Sequence, residues 1–270
     1  MRLPLTALFI YVLSTTLAVA GTCPPDTYGK LEPIKINDKL LNRSNISPED
    51  EFRIAVAYAL GRGARQDLAD ALSWYSKSAN HGNPAAQLNL GLMYLEGCAT
   101  PPDADRAAQW VRRAAAEGFA PAKGALGILY VEGRGLQKDD AMGLRLLREA
   151  SDAGFVPAMY NLGVMYSRGV RGSKDDKQAL YWIERAAHAG YPHAEHAMGL
   201  AYYHGAGVPQ DKTEASQWFR RAASHGHADA EYALAVLYDR GIGVPQDRTE
   251  SARWFARAQQ HGVLANAFVP

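Results

Sequence analysis

The sequence predicts an all-α protein: a right-handed superhelical α/α solenoid of six 36-residue helix-pair repeats. Three aligned series carry the prediction. Tyr58, Tyr94, Tyr130, Tyr166, Tyr202 and Tyr238 stand 36 residues apart, as do Gly61, Gly97, Gly133, Gly169, Gly205 and Gly241. Asp67, Asp103, Asp139, Asp175, Asp211 and Asp247 keep the same step. A fixed period of this length marks an array whose units are too small to bury their own apolar faces and therefore stack.

Along the chain, residues 1–20 come first. Arg2, an apolar run and Ala18-Val19-Ala20 form a basic start, a hydrophobic centre and an A-x-A site, so this segment is expected to be a secretory signal peptide. Residues 21–47 are polar and irregular and are expected to cap the array. Ser47-Pro48-Glu49-Asp50 then reads as a helix start with proline at its first position. The six repeats occupy residues 48–262, and residues 263–270 form a tail too short for another helix pair.

Within a repeat, the first helix is clearest in AAQLNLGLMYLEG (Ala85–Gly97), where Leu90, Met93, Tyr94 and Gly97 fall on one helical face. Gly91, Gly127, Gly163 and Gly199 lie mid-helix, where glycine costs roughly 1 kcal/mol against alanine; close helix packing is the expected compensation. The second helix is clearest in DKTEASQWFRRAASHG (Asp211–Gly226). Asp211 with Glu214, and Asp247 with Glu250, have the spacing of a capping box. Ala215, Trp218, Phe219 and Ala222 form the stripe expected to be buried, with Trp74, Trp110, Trp182 and Trp254 repeating the tryptophan. Leu146 takes its place in the third repeat.

The connecting tracts GAGVPQD (Gly205–Asp211) and GIGVPQD (Gly241–Asp247) look like phosphate loops. They follow helices rather than strands, however, and their aspartates already occupy the helix N-termini that an anion would need. They are read as turns. With 29 basic against 28 acidic residues the chain has no polybasic footprint, which argues against nucleic acid as a partner. Cys23 and Cys98, the two cysteines, can pair in an oxidising compartment. No G-x-S-x-G, S-x-x-K, H-E-x-x-H or P-loop motif is present, and no cofactor is expected. His81, His225 and His261 precede closing glycines and suit helix C-termini. His193, His196 and His204 have a spacing that can serve zinc or copper, but they lack a clear further ligand and are read as groove lining.

The full pattern is best preserved in the fifth repeat: Ala194, Met198, Gly199, Tyr202, Gly205, Gly207, Val208, Asp211, Ala215, Trp218, Phe219, Ala222, Ala223 and Gly226. It resembles the Sel-one-like repeat family, relatives of tetratricopeptide repeats. Departures are local: Cys98-Ala99-Thr100, Arg171-Gly172 and Leu146. The resemblance implies a scaffold that binds a protein or peptide, with the first helices lining a concave surface. By position it selects three rows: Phe52, Leu88, Gly124, Tyr160, His196 and Tyr232; Leu60, Glu96, Glu132, Arg168, His204 and Arg240; and Ser167, Tyr203 and Asp239. Asn89 and Asn161 fall where related arrays hold a peptide backbone.

The expected function is thus an exported, periplasmic or secreted, non-enzymatic adaptor that receives a peptide or partner helix and has no membrane span once the signal peptide is removed. The alternatives are a cell-wall or β-lactam enzyme, like a cysteine-rich branch of the family whose repeat staples are missing here, and an effector that engages a host protein. The scaffold reading predicts no nitrocefin turnover by purified protein; hydrolysis abolished by a single side-chain substitution would replace it with the enzyme reading.

Overall fold

The computed structural model describes Ile36, residues 45–169 and residues 174–262. Residues 1–20, the tail 263–270 and Arg171-Gly172 lie outside the described residues, as does all of the 21–47 segment except Ile36 and residues 45–47. The described residues form twelve helices of 13 residues each. We number them α1 Pro48–Leu60, α2 Leu68–Asn80, α3 Pro84–Glu96, α4 Ala104–Ala116, α5 Ala120–Glu132, α6 Asp140–Asp152, α7 Val156–Arg168, α8 Asp176–His188, α9 Pro192–His204, α10 Lys212–Ser224, α11 Ala228–Arg240 and α12 Arg248–Gln260. Odd-numbered helices are the first of each pair and even-numbered helices the second. The fold class is the expected all-α solenoid. Contacts divide the described chain into an N-terminal unit, 45–158, and a C-terminal unit, 159–262, with the boundary inside α7.

Each pair closes through the same aspartate. The N–H of Asp67, Asp103, Asp139, Asp175, Asp211 and Asp247 donates to the carbonyl of Tyr58, Tyr94, Tyr130, Tyr166, Tyr202 and Tyr238 respectively, at 2.7–3.1 Å. The six carboxylates then accept from amides in the first turn of the second helix, for example Asp211 from Thr213 and Glu214 at 2.9 and 3.0 Å. An N-cap of this kind is worth about 1 kcal/mol. The expected reciprocal capping box is corrected here. The N–H of Asp211 is engaged by Tyr202, which leaves no donor for Glu214 to accept, and Glu250 pairs with Arg253 instead.

The mid-helix glycines are explained by contact. A Cβ on Gly91 would lie 2.7 Å from Val111 Cγ2 and 3.0 Å from the Ala107 carbonyl. At Gly199 it would meet Phe219 Cδ1 at 2.6 Å. Second helices α2, α4, α8 and α10 also pack on the first helix of the following repeat, α3, α5, α9 and α11, so their apolar stripes are covered on two sides. Ala215, Trp218, Phe219 and Ala222 are buried as expected.

The third repeat's departure from the tryptophan pattern is matched by a second one. Elsewhere a cation three residues on lies over the indole: Lys77 on Trp74, Arg113 on Trp110, Arg185 on Trp182, Arg221 on Trp218 and Arg257 on Trp254, at 3.8–4.9 Å from the ring centroid. Where Leu146 replaces tryptophan, the cation gives way to Glu149, which bonds Lys123 at 2.9 Å. Without a π face a cation there has no electrostatic partner.

Buried Cys98 is disulfide-bonded, and Cys23, the chain's other cysteine, lies outside the described residues. The next residue, Ala99, has φ +61°, a left-handed conformation that its register equivalents Gly63, Gly135, Gly207 and Gly243 also adopt. Alanine pays roughly 1–2 kcal/mol there, partly offset by glycine's freer unfolded chain. Ala99→Gly should therefore stabilise the protein by about 0.5–1 kcal/mol in urea denaturation. The reverse change, Gly243→Ala, places a Cβ 2.0 Å from the Lys212 carbonyl and should destabilise by more than about 2 kcal/mol in the same assay.

Candidate functional site

The fifth residue of each first helix does not face a groove. Phe52, Leu88 and Tyr160 are 2–3% exposed and Gly124 is buried. In the second to fifth repeats this position turns toward the seam with the next repeat, where it packs with the residue that precedes the next first helix. Gly124 makes room for Phe155, whose ring atoms would stand 3.1 Å from a Cβ there. Tyr160 packs on Tyr191 with ring centroids 5.5 Å apart, and His196 stacks on His227 at 4.6 Å. Tyr232 is half-buried edge-on against Phe255. Leu88, Tyr160 and His196 are therefore corrected from groove lining to seam packing.

Other selected positions are corrected for the same reason. Asn89 and Asn161 are 5% exposed, and Tyr203 is 6% exposed within the core of α9–α11. Ser167 is fully buried and donates to the Val164 carbonyl at 2.8 Å. Only the last residue of each first helix stays consistently accessible. Arg168 and Arg240 are exposed; Glu96, Glu132 and His204 are half-exposed.

These accessible side chains form two local arrangements. In the N-terminal unit, Arg134 lies between two acids, 3.4 Å from Glu96 and 3.8 Å from Glu132, and also donates to the Leu95 carbonyl. In the C-terminal unit, Lys212 Nζ sits 3.1 Å from the centroid of the Tyr203 ring and donates to the Tyr203 carbonyl. His204 stands edge-on to Tyr203. Burial lowers the imidazole pKa of His204, and the nearby Lys212 ammonium lowers it further. Burial raises the Tyr203 phenol, against which Arg240 acts.

The suggested histidine set is also regrouped. His193 and His196 come together with His227, not with His204. His227 Nδ1 accepts from the Ala230 amide at 3.3 Å, so its Nε2 carries the proton and donates to His193 Nδ1 at 3.0 Å. Among the described residues no three histidine, cysteine or acidic side chains are placed to hold a metal ion. Burial depresses all three imidazoles; His196 is pushed down to about 3, with His193 adding to the effect. For His227 burial again dominates, reinforced by His196 and His193.

A second histidine device was hidden from single-position reasoning. His81, His225 and His261 do cap helix C-termini, but each Nδ1 also lies 2.7 Å from a buried carboxylate of its own repeat: Glu51, Glu195 and Glu231 respectively. The signal was a fixed separation of 30 residues, with both partners present or both replaced. In the second repeat Gln87 and Glu117 take the two places and meet at 3.4 Å.

Comparison with known proteins agrees with this geometry. The Sel1 repeat family model matches residues 48–83, 84–119, 120–155, 156–191, 192–227 and 228–262. A Sel1 repeat protein from Oxalobacter formigenes is 35% identical with a TM-score of 0.71, over 80% of this chain and 63% of that one. A protective antigen present in uropathogenic Escherichia coli strains, with an SLR fold, is 30% identical with a TM-score of 0.65, over 80% of this chain and 46% of that one. This chain thus spans less than two thirds of either relative. An immunity protein from Pseudomonas aeruginosa shares the fold at 18% identity and a TM-score of 0.60, over 88% of this chain and 90% of that one. No curated protein matches the chain.

The seam histidines generate a pH prediction. Their folded pKa values lie below the unfolded value of about 6.5, so the unfolded state binds more protons in acid. The stability they contribute is complete above pH 6.5 and falls as pH drops below it. Asp229, whose carboxyl burial raises above its ordinary value, binds its proton more readily folded than unfolded and so acts in the opposite direction as pH falls. Thermal melting should lose about 1 kcal/mol per pH unit for each affected imidazole between pH 6.5 and 5. His227→Asn keeps a capping side chain, as Asn83 does at the same position of the second repeat, and should flatten that slope.

Proposed function

The chain belongs to the Sel1 repeat family, and from that premise we propose that it is an exported, non-enzymatic scaffold that binds a protein partner through the exposed ends of its first helices. Sel1 repeat proteins generally mediate protein–protein interactions and are typically non-catalytic. One observation carries the finer reading. The aspartate lock and the mid-helix packing consume the repeat's constant positions and the seams bury variable ones, whereas the last residue of each first helix varies in charge and stays accessible. Glu96 and Glu132 supply acidic groups there in the N-terminal unit; Arg168 and Arg240 supply basic ones in the C-terminal unit. Local charge of this kind, taken in each unit by itself, orients a partner and speeds its encounter.

Export rests on the signal-peptide pattern of residues 1–20 and is supported by the disulfide at Cys98, a bond that persists in oxidising compartments. The likeness to a protective antigen supports it further. The periplasm is the compartment we propose for a Gram-negative host.

Affinity capture from the native envelope, followed by mass spectrometry, should identify the partner. Glu96→Lys with Glu132→Lys, and separately Arg168→Glu with Arg240→Glu, should each weaken its binding about tenfold in 0.1 M salt while melting stays within 2 °C. Unchanged affinity in both double variants would refute this surface. Secretion of the full chain with loss of residues 1–20, read by mass spectrometry, tests export independently.

A further inference from the structure

We propose that the loop ends of the helix pairs in the fifth and sixth repeats bind an acidic segment of the partner, with Lys212, Arg240 and Arg248 pairing to its carboxylates and His204 beside them. The inference rests on the scaffold reading above and names the chemistry of the partner that the C-terminal unit takes.

Two positions border the loop in each repeat: the last residue of the first helix and the first residue of the second. In the second to fourth repeats they are Glu96 and Ala104, Glu132 and Asp140, Arg168 and Asp176. In the fifth and sixth they are His204 and Lys212, Arg240 and Arg248. Arg240 and Arg248 are exposed; His204 and Lys212 are half-exposed. A basic group at a helix C-terminus suits the dipole, so Arg240 and His204 have a structural reason to be there. Lys212 and Arg248 have the opposite setting. They open helices, where the dipole favours an acid such as Asp140 or Asp176.

The fold does not need Lys212 as a donor either. Its ammonium donates to the Tyr203 carbonyl, yet Gln210 Nε2 already donates to that oxygen at 2.9 Å. In the first repeat Gln66 makes the equivalent bond to the Ala59 carbonyl at 2.9 Å, with Leu68 in the place of Lys212.

The positive charge here is also unmatched. In the N-terminal unit the cations beside these loops face carboxylates: Arg134 meets Glu96 and Glu132, and Lys138 lies 3.7 Å from Asp140. Among the described residues His204, Lys212, Arg240 and Arg248 form no ion pair. Asp211 and Asp247 accept from first-turn amides, and Glu250 pairs with Arg253. That leaves Asp239 and Glu214 against three fixed cations and an imidazole. The groups converge on Tyr203. Lys212 Nζ is 3.1 Å from its ring centroid, His204 stands edge-on at 5.0 Å, and burial raises its phenol while the charge of Arg240 opposes the rise. Cations gathered in this way repel one another, and a carboxylate placed among them relieves the repulsion as it pairs. With 29 basic against 28 acidic residues the chain offers no basic track for a nucleic-acid backbone, so the occupant is an acidic peptide segment.

Fluorescence anisotropy with end-blocked hexaglutamate, hexaglutamine and hexathymidylate, added to the 270-residue protein in about 0.1 M salt, tests the proposal. Hexaglutamate should bind about tenfold tighter than either other probe. Lys212→Glu with Arg248→Glu should weaken it about tenfold. Lys212→Leu with Arg248→Ala, which installs the residues of the first and second repeats and so suits the fold, should weaken it about fivefold. Arg220→Glu with Arg253→Glu makes the same charge change at exposed positions within α10 and α12 and should alter it less than about twofold. Three outcomes each overturn the inference: hexaglutamate bound no tighter than hexaglutamine, hexathymidylate bound as tightly as hexaglutamate, or equal binding by the unsubstituted protein and the Leu/Ala variant. The surface reading is judged separately, by the captured partner's response to Arg168→Glu with Arg240→Glu, so either can fail while the other stands.

Discussion

The array depends on one small contact, the aspartate that joins each first helix to its second. Its N–H ties the loop back to a tyrosine carbonyl in the last turn of the first helix, and its carboxylate starts the second helix. One residue therefore fixes both where the second helix begins and how far it stands from the first. With that separation set, the helices cross where Gly91 or Gly199 allows side chains of the second to reach the first helix's backbone. The glycines reduce helix propensity, and the buried stripe they admit more than replaces what they lose.

The same geometry decides which variable positions are free to act. Variation in a repeat has two physical sources. At the seam, residues differ because each junction is filled by its own solution: glycine facing phenylalanine, tyrosine on tyrosine, imidazole on imidazole. At the exposed ends of the first helices, residues differ because no packing constrains them. Only the second kind leaves a surface for a partner.

Paired departures show that the repeat is a set of contacts and not a list of residues. Leu146 and Glu149 depart together because the indole face and its cation are one interaction. Gln87 and Glu117 replace a glutamate–histidine pair and still meet. Such exchanges keep Glu51, Gln87, Glu195 and Glu231 each facing a side-chain partner where a single change would strand one.

Repeat period, helix pairing, the aspartate caps and the tryptophan stripe were all determined by the sequence, because each depends on interactions within 36 residues and is written six times. The glutamate–histidine pairs were legible as well, had positions 30 apart been compared rather than read singly. Periodicity marked Leu88, Asn89, Tyr160, Asn161, His196 and Tyr203 as variable but was silent on why. Whether a variable side chain meets solvent or a neighbouring repeat depends on the rotation of each first helix about its axis. That rotation is decided by packing between repeats, so only the tertiary structure could divide the seam from the surface.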